Sequence, residues 1–300
     1  MAQWVGYHHI QSAQRCSPFD QVAHVSSTRL LLPDSILFAP SPWNFPWVIT
    51  LLPFIGAIAA GCTCLIKPSE HAPACGVLMA ELIQKYLDPN AYVVCLGAVP
   101  ESTELLKLKW DHIFYTGSTN GGRIVAEAAA KHVTPLTLEL GGQSPVFVDA
   151  ANISSLELEV AARRILWGKQ YNCGQVRPPD SNMNCNSPRH YLQVCIAPNH
   201  VFVEEQYQSA LVESLKKAYD SFWPKGPLDA SSELAHMINV RHYERIQSLL
   251  KETNGKIEFG GAGEGLRIEP AIVTNVKLDD PLLKESVMHS SPRSSPELIT

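Results

Sequence analysis

The stretch HIFYTGSTNGG, residues 112–122, reads as a short apolar strand that runs into a glycine-rich turn, and residues 123–131 then read as a helix. A strand, a tight turn and a helix in that order present backbone N–H groups and the positive end of a helix dipole to an anion such as a phosphate. The glycine spacing is not G-x-G-x-x-G, so the turn by itself specifies no nucleotide.

The same grammar repeats outward from this point. SILFAP (35–40) reads as a strand. Residues 48–66 form an uncharged run long enough to span a bilayer. Pro53, Gly56 and Gly61 interrupt it and Lys67-Pro68 ends it, so it reads instead as a helix to about Ala60 and a buried strand over 63–66. Residues 77–87 place Leu78, Leu82, Ile83 and Tyr86 on one helical face. AYVVCLG (91–97) reads as a buried strand, and PLTLEL (135–140) and PVFVDA (145–150) as further strands. Helices are expected over 155–171, capped by Ser154 or Ser155, and over 206–222 and 233–252. HVFVEE (200–205), KIEFGG (256–261) and IEPAIVTNV (268–276) read as strands. Strands alternating with helices imply right-handed crossovers and a parallel sheet, hence an α/β fold.

The 300 residues correspond to about two domains. Hydrophobic residues at 45% and charged residues at 18% suit a chain with a large core. A net charge of −5 with no basic run argues against a nucleic-acid partner. The eight cysteines include no C-x-x-C pair and several lie in apolar runs. They read as reduced thiols of a cytosolic protein, with no metal site among them.

Four further places carry chemistry. SPWNFPW (41–47) sets Asn44 between prolines and aromatics, where its amide is either a turn former or a donor to an oxyanion. IKPSE (66–70) ends a buried strand with Lys67, Ser69 and Glu70. At the carboxyl end of a parallel strand such side chains reach the crevice where ligands bind, so Lys67 and Glu70 can hold ribose hydroxyls; a solvated loop is the alternative. LELGG (138–142) puts Glu139 in an otherwise apolar strand. Partial desolvation would raise its pKa and suit it to general-base work, against the alternative of an ion-pair partner. Cys173 in YNCGQ and Cys195 in VCIAPNHV are candidate thiolate nucleophiles, although neither has an activator visible in the sequence.

SPWNFP, IKPSE, FYTGSTNGG, LELGGQSPVFVD, NCGQ and CIAPNHVFV occur in this order, and together they resemble the aldehyde dehydrogenase superfamily. RHYERIQSLL (241–250) and the NCGQ…CIAP wording look most like its class 3 branch, which acts on fatty and apocarotenal aldehydes. The resemblance covers residues 35–285. It implies a Rossmann-like parallel sheet for the cofactor (35–138) and a partial α/β catalytic domain (139–286). It also implies NAD or NADP as cofactor, an apolar aldehyde as substrate and a homodimer as the family's assembly. Asn44 would be the side-chain donor to the oxyanion, Glu139 the general base, and Lys67, Ser69 and Glu70 the ribose-side contacts. Gly117, Ser118 and Gly122 would form the turn that faces the pyrophosphate. The G-Q-x-C-I-A-P pattern assigns the nucleophile to Cys195 rather than Cys173.

The chain departs from that pattern in three places. Gly174-Gln175 and Val194-Cys195 are separated by residues 176–193, and removing these restores NCGQVCIAPNHV. The insert begins with valine, whose codons start GT, and ends with glutamine, which CAG encodes. It reads as a retained intron, with a tolerated surface loop as the alternative. Residues 1–34 carry little of the family pattern, and Ser286-Val287-Met288 follows where E-I-F-G-P is expected, so that 287–300 reads as an aberrant tail. The remainder of the catalytic domain and the oligomerising arm are expected to be missing. The literal chain is therefore expected to fold poorly and turn over little, or to persist as an impaired fragment that binds only a nucleotide or a subunit.

Overall fold

The computed structural model describes residues 35–170, 195–232, 234–284 and 293–294. Residues 1–34, Cys173 and the insert 176–193 lie outside these. The chain divides into two compact units between Leu140 and Gly141.

The first unit is built on five strands: β1 (Ile36–Pro40), β2 (Thr63–Lys67), β3 (Tyr92–Val94), β4 (His112–Gly117) and β5 (Leu136–Leu140). All pair in parallel, in the order β3-β2-β1-β4-β5. The reason is legible in ILFAP. Successive side chains point to opposite faces of a strand, and both sets are apolar. Ile36 and Phe38 pack with Leu65, Trp110, Ile113, Val125 and Ala129. Leu37 and Ala39 pack with Phe54, Ala57, Cys64, Ile66, Met79 and Ile83. A strand buried on both sides is what helices on both faces of a parallel sheet produce.

Those helices are α1 (Val48–Ala59), α2 (Pro73–Tyr86), α3 (Val99–Leu105) and α4 (Thr119–Ala130). The uncharged run 48–66 is α1, a turn and β2, as its glycines and prolines foretold: Gly61 takes φ +76° and Cys62 N–H donates to Ala57 O. Among the described residues no helix is long and apolar enough to cross a membrane.

Several boundaries differ from the sequence reading. α2 starts at Pro73 rather than residue 77, because proline is preformed for a first helical position. α4 starts at Thr119 rather than Arg123, because Ser118 caps it by accepting the Gly121 N–H, making the glycine-rich turn the first helical turn. β3 covers three residues of AYVVCLG and is half-buried, since it is an edge strand. α3 is not foreseen; Glu101 accepts the Ala98 N–H and fixes its start.

The second unit holds a five-stranded sheet in the order β6-β7-β12-β11-β8. Its strands are β6 (Pro145–Val148), β7 (His200–Val203), β8 (Lys256–Phe259), β11 (Ile272–Thr274) and β12 (Arg293–Ser294). β8 runs antiparallel to β11, so this sheet is mixed where an all-parallel one was expected. β9 (Gly263–Glu264) and β10 (Arg267–Ile268) make a separate hairpin. β12 comes from the 287–300 segment that the sequence sets apart, and it pairs in parallel with both β7 and β11. Helices α5 (Ser155–Gln170) and α6 (Glu205–Phe222) pack on this sheet through Leu158, Ala162, Ile165, Leu166, Leu211 and Leu215. α7 (Val240–Glu252) covers Val273 and Val276 with Ile246 and Leu250, and the short α8 spans Pro281–Lys284.

The helix expected over 233–252 begins only at Val240. Asn239 is extended and its side chain accepts the His242 N–H at 2.9 Å, an N-cap that the apolar pattern alone does not reveal. Asn239→Ala is expected to cost about 1 kcal/mol in urea unfolding, with Asp at this position close to neutral.

Candidate functional site

Asn44, Lys67 and the Gly117–Ser118 turn all lie at the carboxyl ends of strands β1, β2 and β4. β1 is flanked by β2 on one side and β4 on the other, so the winding direction reverses between β1 and β4. Ligands of doubly wound sheets bind outside the carboxyl ends of the strands at such a reversal. Pro40 and Lys67 are register partners at the ends of β1 and β2. The SPWNFPW turn leaves β1 here and is tied down at three points: Ser41 N–H donates to Lys67 O, Thr50 Oγ1 to Ser41 Oγ, and Ile49 N–H to Phe45 O. Asn44 sits within it, 4% exposed.

Lys67 is buried, with Nζ donating to Pro68 O at 2.9 Å. Burial pulls its pKa below the usual lysine value, while Glu70, Cys95 and Glu101 act in the opposite direction. An ammonium carries three donors, and Pro68 takes one of them. Ser69 Oγ accepts the His71 N–H and shapes the loop, and Glu70 is exposed on it. At the end of β4, Gly117 leads to Ser118, which caps α4. Glycine is required at 117 and 121 for room rather than for φ: a Cβ at either would strike the Tyr115 hydroxyl, and one at Gly122 would lie 2.8 Å from Leu140 Cδ2. The turn is thus drawn tight against its own strand, with the amide end of α4 beyond it.

Glu139 is the register partner of Thr116 on β5. The expectation that it is desolvated does not hold: β5 is an edge strand, and Glu139 is exposed together with its neighbour Leu138. An apolar run does not distinguish a central strand from an edge one, which is why the sequence misleads here.

Cys195 belongs to the second unit. It opens the turn before β7, is a free thiol and is partly exposed. Its carbonyl accepts the Gly142 N–H at 3.4 Å and the Ser144 hydroxyl at 3.5 Å. Asn199 N–H, at the far end of the same turn, donates to Ser144 O at 3.2 Å. Behind these bonds lies a polar chain that sequence reading missed, formed by Lys169, Asn199 and Gln143. A signal for it exists: Leu158, Ala162, Ile165, Leu166 and Lys169 fall on one stripe of α5, so the lysine occupies a core position.

The model of the aldehyde dehydrogenase family matches residues 12–177 and 188–288. The match starts within 1–34, and its interruption lies inside the insert 176–193. "Aldehyde dehydrogenase family 3 member A2" of Mus musculus is 41% identical over 257 residues, covering 85% of this chain and 48% of that protein. "Beta-apo-4'-carotenal oxygenase" of Neurospora crassa is 42% identical over 246 residues, covering 81% of this chain and 42% of that protein. The substrate-bound AldH of Staphylococcus aureus superposes with a TM-score of 0.73 at 32% identity, over 87% of this chain and 53% of that one. The chain spans about half the length of the curated relatives it matches. With motifs, strand order and two long matched segments in agreement, the chain belongs to the aldehyde dehydrogenase family.

Proposed function

We propose that this protein oxidises an aldehyde to a carboxylic acid with NAD or NADP, through a covalent bond to Cys195. The observation that carries this reading is the grouping of Asn44, Lys67 and the Gly117–Ser118 turn at the strand ends beside the reversal between β1 and β4. The first unit is read as the nucleotide domain and the second as the catalytic one. The tight turn and the amide end of α4 suit a pyrophosphate. Lys67 and Glu70, with Ser69 shaping their loop, suit a ribose, and Gly122 keeps α4 close against the sheet.

When bound, a nicotinamide dinucleotide supplies the hydride acceptor. The chain's own groups do the rest. The Cys195 thiolate adds to the aldehyde carbon, forming the S–C bond of a thiohemiacetal. The Asn44 amide donates to the developing oxyanion. Departure of hydride from that carbon leaves a thioester on Cys195. Glu139 takes a proton from water, whose attack breaks the S–C bond and returns the thiol with release of the acid. An exposed Glu139 is accessible to that water. The Neurospora relative, a carotenal oxygenase, points to an apolar aldehyde as the substrate class.

The test is formation of the reduced nicotinamide chromophore with a long-chain aldehyde, compared with Asn44→Ala. Loss of one oxyanion donor costs about 3 kcal/mol, roughly 100-fold in kcat, with KM little changed. An Asn44→Ala variant with undiminished kcat refutes the role of this amide, and absence of turnover with either cofactor, both with residues 176–193 present and with them removed, refutes the reaction.

A further inference from the structure

We propose that Lys169 is a positioning residue for Cys195, holding the nucleophile's turn in place through Asn199. The proposal rests on the reading of Cys195 as nucleophile, but its geometry stands apart from that reading. Lys169 and Asn199 are each 1% exposed. Lys169 Nζ donates to Asn199 Oδ1 at 3.4 Å. The other end of that amide, Asn199 Nδ2, donates to Gln143 Oε1 at 2.6 Å, and Gln143 Nε2 donates to Leu283 O at 3.0 Å. Both polar ends of the Asn199 side chain are therefore engaged, which fixes its orientation. The Asn199 backbone N–H is aimed at Ser144 O, while the Ser144 hydroxyl and the Gly142 N–H converge on Cys195 O. The turn 195–199 is thus sewn to the turn 142–144 at both ends.

A buried ammonium is expensive, and its retention at a core position of α5 calls for a role beyond packing. Here it sets the orientation of the peptide that carries the thiol. Misplacing a nucleophile by about an ångström costs roughly 100-fold.

The experiment compares Lys169→Met, Lys169→Arg, Asn199→Leu and the Lys169→Met/Asn199→Leu double variant. Two readouts are used: steady-state oxidation of a long-chain aldehyde, and hydrogen exchange at the amides of Gly142 and Asn199. Lys169→Met is expected to lower kcat about 100-fold with KM within about twofold, and to speed exchange at both amides while the β6–β7 ladder stays protected. Asn199→Leu should do the same, the double variant should be no worse than either, and Lys169→Arg should recover part of kcat. Multiplying effects in the double variant, a change confined to KM, or unaltered exchange at the two amides overturns the proposal. If the chain oxidises no aldehyde either with residues 176–193 or without them, the reading of Cys195 fails, and the exchange data alone decide whether Lys169 holds the turn. Should Lys169→Met not fold, Asn199→Leu and Lys169→Arg decide it by the same readouts.

Discussion

Replacing Cys195 by serine is expected to lower aldehyde oxidation by roughly 10,000-fold or more, with dinucleotide affinity unchanged within about twofold. The two halves of that expectation have separate physical origins. A serine hydroxyl is almost wholly protonated near neutral pH and has no base beside it in the Cys195 turn, so the covalent step loses its nucleophile. The elements proposed to hold the dinucleotide, by contrast, belong to the first unit: Lys67 at the end of β2 and the Ser118-capped start of α4. Nothing in the substitution touches them. Cofactor titration by nicotinamide fluorescence, run beside the rate assay, separates the two effects. A Cys195→Ser variant within tenfold of wild type would move the nucleophile elsewhere, with Cys173 the first residue to examine.

The first unit was largely legible because its strands are buried on both faces and flanked by glycine and proline. ILFAP is apolar throughout, and TCLIK and HIFYTG each carry an unbroken apolar run of three residues (64–66 and 113–115), a pattern that an alternating half-exposed strand does not show. Where one face opens, legibility falls. β5 reads like a buried strand, yet Leu138 and Glu139 are exposed, because position in the sheet is a property of topology and not of local composition. The second unit is harder to read for a related reason. Its hairpin β9–β10 has two-residue strands, too short to show any period, and its antiparallel β8 looks in isolation like a parallel strand. The candidate site residues were picked out by ordered motifs, which mark position along the chain. Lys169 and Asn199 act through partners distant in sequence, and only the folded turn shows that they meet.

Phe38→Ala is expected to destabilise the first unit by about 4 kcal/mol. Phe38 is fully buried in β1, the middle strand, and stacks on Trp110 with centroids 4.9 Å apart and planes inclined by 20°. Trp110 cannot follow into the void, because its Nε1 donates to Leu105 O at 2.8 Å and holds the indole in place. The cavity therefore stays open, and the lost stacking adds about 1 kcal/mol to the lost transfer energy. Domains of this size are stable by only about 5–15 kcal/mol, so the substitution consumes a large share. Because the chain forms two compact units, a whole-chain probe would mix separate transitions. Amide exchange within β1, β2 and β4 is the appropriate measurement, and those ladders should lose protection together. The same loss reaches function, since β1 delivers the Asn44 turn and aligns with Lys67, so dinucleotide affinity should fall in step with protection. Phe38→Leu, which keeps most of the volume, is expected to cost less than about 1.5 kcal/mol and serves if the alanine variant does not fold. In contrast, Ile124→Ala on the exposed face of α4, where Ile124 is 62% exposed, should change stability by less than about 0.5 kcal/mol. A Phe38→Ala chain no less protected than Ile124→Ala would mean that β1 is not the centre of this sheet, and the strand-end assembly of Asn44, Lys67 and Gly117 would go with it.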